Sequence, residues 1–109
     1  MSTYSVEWFS EVEDFVKDLP FEAQDKVLMK IDQLEKHGRS LCQLSKDIIK
    51  KIGNNLYELR IKTRDFFCRI FFTFKKSIIY LILAYNKKSN TMPEKILKLA
   101  KQRQKELGC

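Results

Sequence analysis

The periodicity of the apolar residues changes from helical to alternating near the middle of this chain, and that change constrains the fold more than any other feature. Before the turn signal Gly53-Asn54-Asn55, apolar residues recur at helical spacing. After it, in Leu56–Lys62, the apolar residues Tyr57, Leu59 and Ile61 alternate with charged ones, as in a strand with one buried face. A chain that is helical first and stranded later is typical of an α+β fold.

The first half predicts a short strand and a helical hairpin. The strand is expected over Thr3–Phe9, with large apolar groups at its end. Ser10 and Glu13 have the spacing of a capping box, so a helix is expected to begin there. Pro20 ends this helix and is compatible with the start of a second one, which Gly38 ends.

The second half predicts a three-strand antiparallel meander and a closing helix. Thr63–Asp65 has the composition of a hairpin turn, and it leads into a second strand over Phe66–Phe74. The third strand, Ser77–Tyr85, is apolar on both faces, which predicts a central position in the sheet. A second capping-box pattern, Thr91–Glu94, opens a helix that runs to about Leu107.

Length and charge limit the class of protein. A chain of 109 residues predicts one domain, here 1–109. The net charge is +7, but residues 1–35 sum to −6 and residues 36–109 to +13. The basic part suits a polyanion or an acidic partner, although lysines that only solvate a small domain would give the same balance. Three cysteines without paired spacing, and no signal peptide or transmembrane run, predict a cytoplasmic protein that does not enter a membrane.

The side chains available for chemistry are mostly cations. With one histidine, His37, there is no His pair for acid–base relay, and the sequence predicts neither a metal site nor a cofactor. Arg60 and Lys62 share a strand face, and Arg69 stands alone in an aromatic run, where it needs an anionic partner such as Glu58 or an exposed edge. A site of Arg, Lys and Tyr suits RNA cleavage, because the RNA supplies its own 2′-hydroxyl nucleophile.

Three segments in the second half resemble a known family. Leu56–Arg60 resembles its "L-[WY]-E-L-R" strand and Cys68–Phe72 its "y-R-i-f-y" strand. Tyr85–Pro93 resembles its "F-x-K-K-t-x-x-t-P" segment, and Glu94–Ala100 the helix that follows. The motifs occur in order and are similar to those of the HigB-like branch of the RelE toxin superfamily, which implies a RelE-like fold.

The resemblance implies a toxin of a type II toxin–antitoxin system, a metal-independent and ribosome-dependent endoribonuclease that cleaves mRNA and inhibits translation. It also implies a cognate antitoxin, often with a helix-turn-helix domain. By position, it assigns catalysis to Arg60, Arg69 and Lys87, and RNA binding to Lys62, Arg64, Lys88 and Tyr85. Leu83 takes the place of a histidine that the family often carries, and no general base is assigned.

Two alternatives remain open from the sequence. The chain could be a catalytically inactive RelE-like module that only binds its antitoxin or RNA, which the missing histidine favours. It could also be a toxin with another target, such as the gyrase-directed branch of the superfamily, although the strand motifs fit the HigB-like branch better.

Overall fold

The alternating segments form the centre of a five-stranded sheet. A computed structural model describes residues 4–44, 46–86 and 93–109. In these residues the elements are β1 (Ser5–Trp8), α1 (Ser10–Lys17), α2 (Phe21–His37), α3 (Arg39–Leu44), β2 (Ile49–Gly53), β3 (Leu56–Lys62), β4 (Phe67–Lys75), β5 (Ile78–Asn86) and α4 (Glu94–Glu106). The α+β class is confirmed, and α3 and β2 are additions that the sequence analysis did not place.

The strand order is β1-β5-β4-β3-β2. The antiparallel meander β3-β4-β5 is confirmed. It is extended on one side by β2, which forms a hairpin with β3. On the other side β1 pairs in parallel with β5. The apolar strand β5 therefore has a neighbour on each side, as expected, although the middle position of the sheet belongs to β4.

Helices cover both faces of the sheet, so the side chains that point to either face are buried. The face under α1 and α2, here called the hairpin face, carries Leu59, Ile61, Ile70 and Phe72 against Val12, Val16, Val27 and Ile31. The opposite α4 face carries Leu56, Phe71, Ile82 and Leu83 against Ala100 of α4. Two apolar layers around one sheet stabilise the fold, at roughly 25 cal/mol per Å² of apolar surface removed from water.

A bulge in β5 decides which residues reach the α4 face. Phe71 pairs with Leu83 and Phe72 with Leu81, so Ile82 is the extra residue. Regular alternation from Leu81, which lies on the hairpin face, would place residues 83 and 85 on that face too. The inserted residue reverses the alternation, as bulges do, and both Leu83 and Tyr85 pack on the α4 side.

The ends of the helices differ in part from the sequence prediction. The capping box at Ser10 and Glu13 does not form. Phe9 is the N-cap of α1, without a side-chain cap, and its carbonyl accepts hydrogen bonds from the amides of Val12 and Glu13. The expected cap at Gly38 is confirmed: its amide donates to the Leu34 carbonyl, and its φ is +53°.

Two helices begin directly after a proline. Pro20 and Pro93 are the N-caps of α2 and α4 and lie just outside these helices, not within their first turns. The capping box predicted for Thr91–Glu94 lies partly outside the described residues. No helix among the described residues is long and apolar enough to cross a membrane.

Candidate functional site

Two arginines share one buried carboxylate on the α4 face. Arg60 and Arg69 are directly opposite each other in the β3–β4 ladder. Oε1 of Glu58 accepts from Nη1 of Arg69 at 2.6 Å and from Nε of Arg60 at 3.1 Å. Two like charges placed opposite each other across strands repel, so the carboxylate between them is what permits the arrangement.

The two arginines are not equivalent. The side chains of Arg69 and Glu58 are only 4% and 1% exposed, whereas that of Arg60 is 29% exposed. Arg69 also lies over the Phe67 ring, with its guanidinium carbon 4.3 Å from the ring centroid. The ion pair that the sequence analysis weighed as an alternative role for Arg69 is therefore present. Of the two, Arg60 is the arginine that a ligand can reach.

The ion-pair cluster leaves several buried polar atoms without partners. Oε2 of Glu58, Nε of Arg69 and the hydroxyl of Tyr85 have no hydrogen-bond partner among the described residues. Burial raises the pKa of Tyr85, and the nearby charge of Glu58 raises it further. The Tyr85 hydroxyl is therefore protonated at neutral pH and can act as a hydrogen-bond donor.

Arg60 opens onto a cationic cleft at the edge of the sheet. The ladder between β2 and β3 ends at Leu59, and the Arg60 amide still donates to the Ile48 carbonyl at 2.7 Å, so β3 has no β2 partner beyond Arg60. A cleft of about 330 Å³ lies there, lined by Lys26, Lys30, Asp47, Ile48, Arg60, Ile61, Lys62 and Phe67. We call it the edge cleft.

Lys26 and Lys30 were missed by the sequence analysis. They are i,i+4 neighbours on α2 and are half-buried, and Nζ of Lys26 donates to the Lys62 carbonyl at 2.6 Å. The sequence shows them only as two of the few bases in an acidic segment. Helical spacing marked the apolar face of α2 but not which of its flanks turns toward the sheet, so no sequence signal would have found them.

The other candidate residues lie around this cleft or outside the described part of the chain. Lys62 is exposed at the end of β3, with Nζ 6.0 Å from the centroid of the Phe67 ring. Arg64 is exposed in the β3–β4 turn and lines a neighbouring hollow with Lys62 and Asn86. Lys87 and Lys88 lie outside the described residues. The structure thus brings together Arg60, Lys62 and Arg69, with Tyr85 opposite Arg69 in the β4–β5 ladder.

The arrangement suits the binding of a phosphate group. Arg60 is held by Glu58 through Nε, and no described residue accepts from its two terminal nitrogens. A guanidinium fixed at one edge presents two donors in a plane, the geometry that matches phosphate oxygens. Leu83, which takes the place of the histidine that the resembled family often carries, is buried in the core on the α4 face. Among the described residues no group of three or more His, Cys, Asp or Glu side chains could hold a metal ion.

The described residues thus combine a five-stranded α+β fold with a cationic cleft beside a buried ion-pair cluster. Residues 14–105 match the family described as "Phage derived protein Gp49-like (DUF891)". The chain belongs to this family, which is toxin-like and of the RelE/HigB type found in toxin–antitoxin systems. No curated protein and no solved structure matches the chain significantly.

Proposed function

We propose that the chain is the toxin of a type II toxin–antitoxin system and cleaves mRNA on the ribosome in the cytoplasm, thereby inhibiting translation. The whole chain, 1–109, would act as one HigB-like toxin domain. The observation that carries the proposal is the half-buried Arg60, anchored by a buried carboxylate and open to a cleft with three lysines. The membership of the chain in a toxin-like family supports it.

In the proposed reaction the 2′-hydroxyl of the RNA attacks the adjacent phosphorus. The P–O5′ bond breaks, which leaves a cyclic phosphate and a 5′-hydroxyl. Negative charge builds on the phosphorane oxygens, and the terminal nitrogens of Arg60 would stabilise it there more strongly than in the ground state. Lys62 and Arg64 would bind the flanking RNA, together with Lys87 and Lys88. No metal or cofactor takes part in this scheme.

Arg69 has a different role in this proposal from the one its position in the motif suggests. Its buried pairing with Glu58 makes direct contact with RNA unfavourable, because that contact would break the ion pair. Arg69 would instead fix the carboxylate that orients Arg60, and so act as a positioning residue.

Tyr85 would donate a proton or a hydrogen bond. Its pKa is raised above the ordinary value of 10.0, so its hydroxyl is a poor base at neutral pH. A protonated phenol can donate to the departing 5′-oxygen or to a phosphorane oxygen, and this role requires the Tyr85 hydroxyl, which is buried, to become accessible when RNA binds.

The proposed protein partner is a cognate antitoxin with a helix-turn-helix domain. An acidic antitoxin segment would be attracted to the cationic edge cleft, and electrostatic attraction of this kind mainly increases the association rate. Occupation of the edge cleft would block RNA at the same time.

The experiment compares three variants during inducible expression in bacteria, with mRNA 5′ ends mapped before and after induction. We expect growth arrest and new cuts in translated regions for the wild type and for Lys95→Gln, an exposed-cation control on α4. Arg60→Gln should reduce cleavage by about 10²–10³-fold, the usual effect of removing one transition-state donor. Arg60→Lys keeps the charge without the planar fork and should remain impaired.

Purified mRNA with and without translating ribosomes then tests ribosome dependence. Well-folded wild-type protein that binds an antitoxin but leaves translated mRNA intact would contradict the nuclease proposal. That outcome would favour the inactive binding module, which agrees with the buried leucine at position 83.

A further inference from the structure

A second cationic cleft lies between α3 and β2, with a volume of about 550 Å³. Its lining includes the four cations Arg39, Lys46, Lys50 and Lys51 and contains no acidic residue. None of the four forms an ion pair with a described residue. Four cations without acidic partners around one hollow create a positive potential that favours an anionic ligand.

The fold holds these cations in place. Gly38 turns the chain from α2 into α3, and Arg39 then lies over the Phe74 ring, with its guanidinium carbon 4.3 Å from the centroid. Lys50 and Lys51 are consecutive residues of the edge strand β2 and are both exposed. Because β2 is paired through β3 to the rest of the sheet, its lysines project from a fixed backbone.

This cleft adjoins the edge cleft. Lys46 and Ile49 line the α3–β2 cleft, whereas Asp47 and Ile48, between them in sequence, line the edge cleft. The two clefts therefore lie on either side of one short segment. Together they form a cationic band along the β2–β3 side of the sheet.

We propose that the α3–β2 cleft binds the phosphate backbone of RNA outside the segment that is cut. The identification of the ligand as RNA rests on the proposed function, since a strand that passes Arg60 is led by the same band into this cleft. Lysines bind phosphates as point charges without reading bases, so the cleft contributes affinity and alignment without sequence preference.

The test is the binding of a single-stranded RNA about 20 nucleotides long, 2′-O-methylated throughout so that it cannot be cut, measured by fluorescence anisotropy over a range of KCl concentrations. The variant is Lys46→Gln/Lys50→Gln/Lys51→Gln. The matched control removes the same charge from exposed positions on α4, as Lys95→Gln/Lys98→Gln/Lys101→Gln.

Loss of three phosphate contacts should make the negative slope of log K against log [salt] shallower by about 2, since each contact contributes roughly −0.7 for a single strand. Between 1 M salt and about 0.1 M salt, this difference in slope gives the variant a Kd roughly 100-fold weaker than that of the wild type. The control should change Kd only a few-fold. Wild-type affinity in the cleft variant, or an equal loss in the control, would overturn the proposal.

Two further outcomes separate this proposal from its alternatives. If the cleft variant binds RNA normally but loses affinity for polyglutamate, the cleft is a protein-docking surface and the RNA assignment is wrong. If wild-type protein never cuts translated mRNA and the difference in RNA binding is still observed, the proposed nuclease function fails and the cleft assignment stands.

Discussion

The buried ion pair between Glu58 and Arg69 allows a stability prediction that does not depend on any activity. Replacement of Arg69 by Met would leave a carboxylate that is 1% exposed with only the 3.1 Å contact to Arg60. Removal of one partner of a buried pair typically costs about 3–5 kcal/mol. Since Arg60 would still partly compensate the charge, we expect about 3 kcal/mol for Arg69→Met.

Removal of the Glu58 carboxylate should cost more stability than removal of Arg69. In Glu58→Leu the two arginines remain opposite each other without the anion between them, and we expect about 4 kcal/mol or more. The double variant Glu58→Leu/Arg69→Met replaces the pair by apolar side chains beside Phe67 and Phe71. Such replacements are often neutral or stabilising, so we expect it to lie within about 1 kcal/mol of the wild type.

The assay is urea unfolding at 25 °C, followed by the fluorescence of Trp8, the one tryptophan of the chain. The double-mutant cycle should give a coupling energy of at least about 6 kcal/mol between the two sites. The reasoning is refuted if Arg69→Met lies within about 1 kcal/mol of the wild type, or if the two losses add in the double variant. Arg60→Met, at a 29% exposed side chain, should cost no more than about 1 kcal/mol.

Three other sites allow tests of different parts of the structure. Gly38→Ala should lower the unfolding free energy by at least about 2 kcal/mol, because φ is positive there and a Cβ would collide with the Tyr4 ring. In the control Gly53→Ala the added Cβ makes only ordinary contacts, so calorimetry should find a much smaller change than for Gly38→Ala. Burial raises the pKa of Cys42 to about 11 from 9.0, so iodoacetamide at pH 8 should alkylate it about 100-fold more slowly in the folded protein than in urea, and equal rates would contradict its burial. Tyr85→Phe should leave stability within about 1 kcal/mol of the wild type, since its hydroxyl has no described partner. Because the folded pKa of Tyr85 is raised, its stabilising contribution is complete below pH 10 and is lost as the pH rises through that higher value, which a pH series of unfolding curves would detect.

The sequence predicted the elements whose apolar pattern is regular and missed those set by distant contacts. The alternation in Leu56–Lys62 predicted β3 with its observed bounds. The adjacent strand β2 was missed because its centre is Lys50-Lys51 and its isoleucines are three residues apart, a spacing closer to that of a helix. Such composition is common in edge strands, which need only one pairing partner and often carry lysines.

The candidate site was predictable in its residue types but not in its geometry. The alternation of apolar and charged residues in β3 predicted that Glu58, Arg60 and Lys62 lie on one face, which the structure confirms. Which of the two arginines is buried depends on the packing around the middle strand, and local sequence does not contain that information. The parallel pairing of β1 with β5 joins segments about seventy residues apart, and no local pattern signals it.

The bulge in β5 has a consequence for genetics. Because Ile82 is an extra residue in β5, this strand can lose one codon at the bulge without changing which face its later residues occupy. An in-frame deletion of one codon among residues 81–83 would leave an apolar strand of almost the same composition. The shortened strand would alternate regularly between the same β4 partners, and Tyr85 would stay on the α4 side. A selection for inactivated protein should therefore recover few single-codon deletions within residues 81–83 and few conservative apolar substitutions at position 82.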